Sequence, residues 1–242
     1  MRFNVLTIFP EIFKIFDHGV ISKAIDKNFI IECYDIRKNA INKHGQIDAK
    51  PFGGGEGMVM MPEPLKKTLV DIPKNERGHI VYLSPQGKQL NQDKVIELSL
   101  MKNITLVCGR YEGVDQRFID KYVDEEISIG DFVMSGGEYP AVCLIDAVVR
   151  NLPGTIGNSD SIENDSFYKG LLKGPVYTRP KIFDDINVPE TLLSGNHAEI
   201  KEWKESKSFI QTYLRRPDLI NNVKLTKKQK KLLEELASKD IL

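Results

Sequence analysis

The chain opens with a short apolar run, Phe3 to Phe9, closed by Pro10 and followed by Ile12, Phe13, Phe16 and Val20 at helical spacing, so a strand leads into a helix. The same alternation returns three times. Phe29 to Ile36 reads as a strand, His79 to Leu83 as a strand before a helix opened by Asn91, and Ile104 to Cys108 as a strand before a helix over Val114 to Tyr122. Strands alternating with helices predict an α/β unit built on a mostly parallel sheet. A further helix is predicted from Ala141 to Arg150, with Val142, Ile145, Asp146 and Val149 on one face and Pro153 and Gly154 ending it.

From Gly157 to Lys169 the apolar pattern fades into Asn, Ser, Asp and Glu, which suits a flexible connector, with a boundary near Thr155 to Asn164. Helical spacing resumes beyond it. Asn196 with Glu199 forms a capping-box pattern ahead of Ile200, Trp203, Ile210 and Tyr213, and Thr226 with Gln229 repeats it. The expected layout is a domain over residues 1–156, a linker over 157–172 and a small all-α domain over 173–242.

Composition narrows the partners. Across 242 residues, 34 Lys plus Arg balance 34 Asp plus Glu, so no global field draws in nucleic acid or membrane. The balance hides two unlike parts: Lys173 to Leu242 holds 14 basic and 10 acidic residues, residues 1–172 hold 20 and 24. Cys33, Cys108 and Cys143 are scattered and odd in number, which suits a reducing compartment rather than a disulfide framework. No run reaches the roughly 20 apolar residues of a membrane span, and the opening run is too short for a secretion signal. A cytoplasmic location and no membrane partner are expected.

The common dinucleotide, P-loop and HExxH zinc motifs are absent. Three glycine-bearing stretches remain. Gly109-Arg110-Tyr111-Glu112-Gly113-Val114-Asp115 follows a strand directly, where open α/β sheets bind ligands, although a structural turn alone would also account for its glycines. Ser128 to Glu138, SIGDFVMSGGE, crowds acidic residues and glycines around an apolar segment. Pro51 to Met58 places four glycines in five positions, as a plain hairpin tip or as a lid approaching a nucleobase. Asp165 and Ser166 lie in the polar connector, Arg150 at a helix end that favours cations, and Lys224, Lys227, Lys228, Lys230 and Lys231 form a basic run. Each is compatible with plain solvation.

GRYEGVD, SIGDFVMSGGE, LIDAVVRNLPG, NDSF and YTRP (Tyr177 to Pro180), in this order and spacing, resemble the bacterial TrmD family of tRNA (guanine-N1)-methyltransferases. LTIFPEIF, PFGGGEGMVM and LLSGNHAEIKEW extend the likeness over nearly the whole chain. The resemblance implies a SPOUT-type domain with a deep trefoil knot, a helical tRNA-binding domain, and a homodimer whose active site is shared between subunits. It implies methyl transfer from S-adenosyl-L-methionine to N1 of guanosine-37, with magnesium as a possible further requirement. The donor would be held by Tyr82, Leu83, Ser84 and Pro85, by Gly109, Tyr111, Glu112 and Gly113, and by Ile129, Gly130, Phe132, Met134, Gly136 and Gly137. Asp165 would be the general base, Arg150 would stabilise charge at guanine O6, and Glu112 would orient the base or help hold magnesium. Phe132, Met134 and Glu56 depart from the residues frequent in the family, where Tyr, Leu and Pro stand.

Overall fold

The computed structural model of the chain describes residues 1–155 and 164–238. The chain divides into two compact units, Met1–Ser159 and Asp160–Leu242. Residues 156–163, which include the first part of the expected flexible linker (157–172), lie outside the described residues.

In the first unit, β1 (Arg2–Thr7), β2 (Ile30–Asp35), β3 (Asp48–Ala49), β4 (Val59–Met60), α1 (Pro62–Asp71), β5 (His79–Gln89), α2 (Gln92–Ser99), β6 (Asn103–Cys108), α3 (Gln116–Tyr122), β7 (Glu125–Ser128) and α4 (Glu138–Val149) follow in chain order. Five of these strands form one parallel sheet in the order β2-β1-β6-β5-β7. Strands covered on both faces must be apolar in both directions, which is why NITLVC and HIVYL read as continuous runs. One face buries Val5, Val81 and Leu106 against Leu98 of α2 and Leu144, Ile145 and Val148 of α4. The opposite face buries Leu6, Tyr82 and Val107 against Leu65 and Leu69 of α1 and Phe118 of α3.

The predicted α/β alternation therefore stands, with local corrections. The segment after Pro10 is a 3-10 helix over Pro10–Asp17, which buries Phe13 and Phe16, three residues apart, and leaves Val20 exposed beyond its end. α3 begins at Gln116 rather than Val114, because the Asp115 carboxylate accepts from the Arg117 N–H as an N-cap. Val114 instead bridges to Met60. β5 runs past Leu83 to Gln89, and Leu83 and Lys88 both stand opposite Ile127, so residues 84–87 bulge out of the ladder.

The second unit holds a two-stranded hairpin, β8 (Ile182–Phe183) with β9 (Ile186–Asn187), and helices α5 (His197–Arg215), α6 (Pro217–Ile220) and α7 (Lys227–Ala237). The hairpin is an addition to the expected all-helical composition; Asp184 and Asp185 at its tip both have positive φ, as a two-residue primed turn requires. Both caps form: the Asn196 side chain accepts from the N–H groups of Ala198 and Glu199, and Thr226 with Gln229 makes a reciprocal box. Phe209, Ile220 and Leu236 are buried together, with Leu171 packed against them. The described end of the connector is tied to this unit, since Leu172 N–H donates to Thr212 Oγ1 at 3.0 Å and Lys173 N–H to Ser166 Oγ at 3.0 Å. Among the described residues no helix is long and apolar enough to cross a membrane.

Candidate active site

Because the sheet is parallel, the chain leaves β5's first half, β6 and β7 at the same edge, and loops that are distant in sequence meet there. The bulge after Leu83 supplies Ser84 and Pro85, the turn after Cys108 supplies residues 109–113, and the loop after Ser128 supplies residues 129–137. They surround a cleft of about 260 Å³, close to the lower end of the roughly 300–1,000 Å³ of small-molecule sites. All fourteen residues expected to hold a donor line it: Tyr82 to Pro85 on one side; Gly109, Tyr111, Glu112 and Gly113 on the second; Ile129, Gly130, Phe132, Met134, Gly136 and Gly137 on the third.

The walls are built by close approach. Tyr82 is buried beneath the second loop, and a Cβ at Gly109 would fall 2.8 Å from its ring and hydroxyl. Burial pushes the Tyr82 phenol above its usual range, against a smaller opposing effect from the Val114 backbone bond. A Cβ at Gly137 would meet the Cys108 backbone at 2.8 Å. Ser128 Oγ both donates to Gly130 O (3.0 Å) and accepts from Gly130 N–H (3.2 Å), which fixes the start of the third loop. Ser84 Oγ accepts from Gln86 N–H at 3.1 Å and does the same for the first. Apolar side chains, exposed Phe132 among them, and turn backbone dominate the lining, a donor set that suits a flat heterocycle and its ribose rather than a cluster of phosphates.

Phe132 and Met134 both line the cleft and present apolar surface there. Glu56 lies in the third glycine stretch, where Phe52 is 97% exposed. That stretch is stitched to the cleft: Glu112 N–H donates to Met58 O at 2.8 Å, Met60 N–H to Gly113 O at 2.9 Å, and a Cβ at Gly57 would lie 2.6 Å from the Glu112 carboxylate. Glu112 thus stands between the glycine loop and the cleft. Among the described residues no three His, Cys, Asp or Glu side chains converge as a metal-binding group.

Two expected catalytic residues are not brought to this chain's cleft by the first unit. Arg150 caps the far end of α4, whose N-terminus borders the cleft, so some thirteen residues of helix put it about 20 Å away. It acts electrostatically on Asp146, whose carboxyl is pushed up by burial and drawn down less by Arg150. Asp165 belongs to the second unit, where its Oδ1 lies 2.9 Å from Lys173 Nζ. Gln86, Arg110, Ile127, Ser128, Val133, Ser135 and Pro140 also line the cleft; five of the seven fall inside the two long motifs or at their borders, and only contact geometry, not residue type, marks them.

A parallel α/β sheet with a loop-walled cleft beyond its carboxyl ends is the arrangement in which doubly covered α/β proteins bind ligands. Comparison with known proteins narrows this. The family model described as tRNA (Guanine-1)-methyltransferase TrmD matches residues 1–222. A tRNA (guanine-N(1)-)-methyltransferase of Clostridium novyi is 46% identical over 97% of both chains. One from Buchnera aphidicola is 50% identical over 99% of this chain and 98% of its own, and one from Pseudomonas fluorescens 49% over 97% and 96%. The chain belongs to the TrmD family of tRNA (guanine-N1)-methyltransferases, and its reaction is methyl transfer to guanine N1 in tRNA.

Proposed function

We propose that this cleft holds S-adenosyl-L-methionine and that the methylated base is guanosine-37, beside the anticodon. The observation that carries the reading is the convergence of all three motif loops on one cleft at the carboxyl edge of the sheet. The donor loops would form part of the trefoil knot of a SPOUT-type domain, and the second unit, with its net positive charge, would grip tRNA phosphates and position the substrate while the cleft selects the base. The enzyme would work in the cytoplasm, with residues 1–156 as the donor domain, 157–172 as the linker and 173–242 as the RNA-binding domain.

When bound, S-adenosyl-L-methionine supplies an electrophilic methyl group on a cationic sulfur. Guanine N1 carries a proton at neutral pH, so its lone pair needs a base. Asp165 would accept that proton, and Arg150 would offset the negative charge that grows on O6. Glu112, a single carboxylate held against Gly57, would orient the base.

The separation of Arg150 from its own cleft supports a homodimer, in which it would reach the cleft of a second copy. α4 offers a matching surface: Tyr139, Cys143, Asp146 and Arg150 are exposed along one stripe. Methyl transfer to tRNA carrying adenosine in place of guanosine-37 tests the assignment. Incorporation should vanish, and undiminished incorporation at another base would overturn it.

A further inference from the structure

The donor reading uses the backbone and glycines of the second and third loops and gives no task to Arg110, in the second loop, or to Glu138, which follows the third. Glu138, the first residue of α4, is fully buried. Its Oε1 accepts from Thr7 Oγ1 at 2.9 Å and its Oε2 from Arg110 Nε at 2.8 Å. Arg110 Nη1 donates to Ser135 O at 3.1 Å, and the guanidinium lies 4.7 Å from the Phe9 ring centroid. Around this pair the two loops are laced by backbone: Arg110 bridges to Gly136, and Gly137 N–H donates to Gly109 O at 2.9 Å. A Cβ at Gly136 would lie 2.2 Å from Arg110 Nε, so the side chain rests flat on a glycine that leaves it room.

A buried ion pair is a poor source of stability, because taking both charges out of water offsets their attraction. Neither residue belongs to the two apolar clusters that hold the sheet between its helices. What the pair does join is the end of β1, the second loop, the third loop and the start of α4, with Arg110 using two edges of its fork at once. We propose that Arg110 and Glu138 are positioning residues for methyl transfer: their ion pair sets the spacing and register of the two loops that wall the cleft, and through that the affinity for the methyl donor. The inference rests on the reading of the cleft as the donor site. Although Arg110 borders the cleft, its Nε and Nη1 are committed to Glu138 and Ser135, so its role is geometric rather than a charge offered to the donor.

The test compares full-length wild type with Arg110→Lys and Glu138→Gln by calorimetric titration of S-adenosyl-L-methionine, thermal unfolding and steady-state methyl transfer. Lysine keeps the charge but lacks the planar fork that sets Nε on Glu138 and Nη1 on Ser135. Donor affinity should fall tenfold or more in both variants, with the KM for donor rising in parallel and the KM for tRNA staying within twofold. A folded Arg110→Lys protein that binds the donor within twofold of wild type overturns the proposal, as does an equal rise in both KM values. Where these variants fail to fold, Thr7→Val decides, since it removes one donor to Glu138 and adds no charge: threefold or greater weakening supports the proposal and unchanged affinity overturns it. Failure of the wild type itself to bind donor removes the cleft reading, an outcome distinct from wild-type binding that the variants share.

Discussion

The two units of the chain bury their apolar residues very differently. The first sandwiches a five-stranded sheet between two large clusters and spends its glycines on close contacts at the sheet edge. The second closes over a small centre of Phe209, Ile220 and Leu236, while Val176, Tyr177, Ile182, Phe183 and Ile186 stay exposed beside a surplus of basic residues. A rigid cleft and an adhesive surface are different products of folding. Loops held by backbone contacts to a packed sheet cost little to organise before a ligand arrives, whereas exposed aromatic and basic groups suit an extended polyanion with unpaired bases. The division predicts that damage to one unit should leave the other's task intact.

The largest expected effect follows from Asp165→Ala. Methyl-transfer rate at saturating substrates should drop by about 10²–10⁴-fold, with donor affinity unchanged by calorimetry; equal loss of donor binding would erase the distinction between the units. Next comes Phe209→Ala, which opens a cavity in the smaller centre and should cost about 3–5 kcal/mol in chemical denaturation. tRNA binding should then fail while donor binding survives. Thr226→Ala removes the capping hydroxyl of α7 and should cost about 1 kcal/mol, read as a lower midpoint for the second unit alone.

A comparable effect in the first unit is pH-dependent. Burial pushes the Glu125 carboxyl up, but hydrogen bonds from Lys94 and His79 outweigh it and hold the group below its usual range. A depressed carboxylate stabilises the fold above its unfolded pKa and loses that contribution as pH falls through the folded value. Glu125→Gln should therefore lower stability by about 1 kcal/mol at pH 7, with the difference from wild type closing as pH drops below about 4. In the second unit, Lys228→Met breaks an exposed pair with Glu202 and should leave the unfolding midpoint unmoved at any pH.

Much of the first unit is legible in its hydrophobic runs because the central parallel strands, covered on both faces, are short, apolar and bounded by turn residues. β7 escapes notice because only Ile127 and Ser128 of its four residues are buried, and α1 because Pro62 and Pro64 resemble a loop. The cleft is legible as motifs but not as a place: nothing in GRYEGVD or SIGDFVMSGGE says that they meet, which depends on β5, β6 and β7 all running the same way. The Arg110–Glu138 pair is hidden for the same reason, since 28 residues separate two charges that look solvated in the sequence. Arg150 shows the converse. Its motif is plain, yet helix geometry carries it away from the cleft it is expected to serve.

Hydrogen exchange of the full chain, with and without the product S-adenosyl-L-homocysteine, addresses the claim underlying all of this. Ligand should slow exchange in residues 84–87, 109–113 and 129–137 together and leave α5 and α7 unchanged. Protection confined to the second unit, or to one of the three loops, would contradict it.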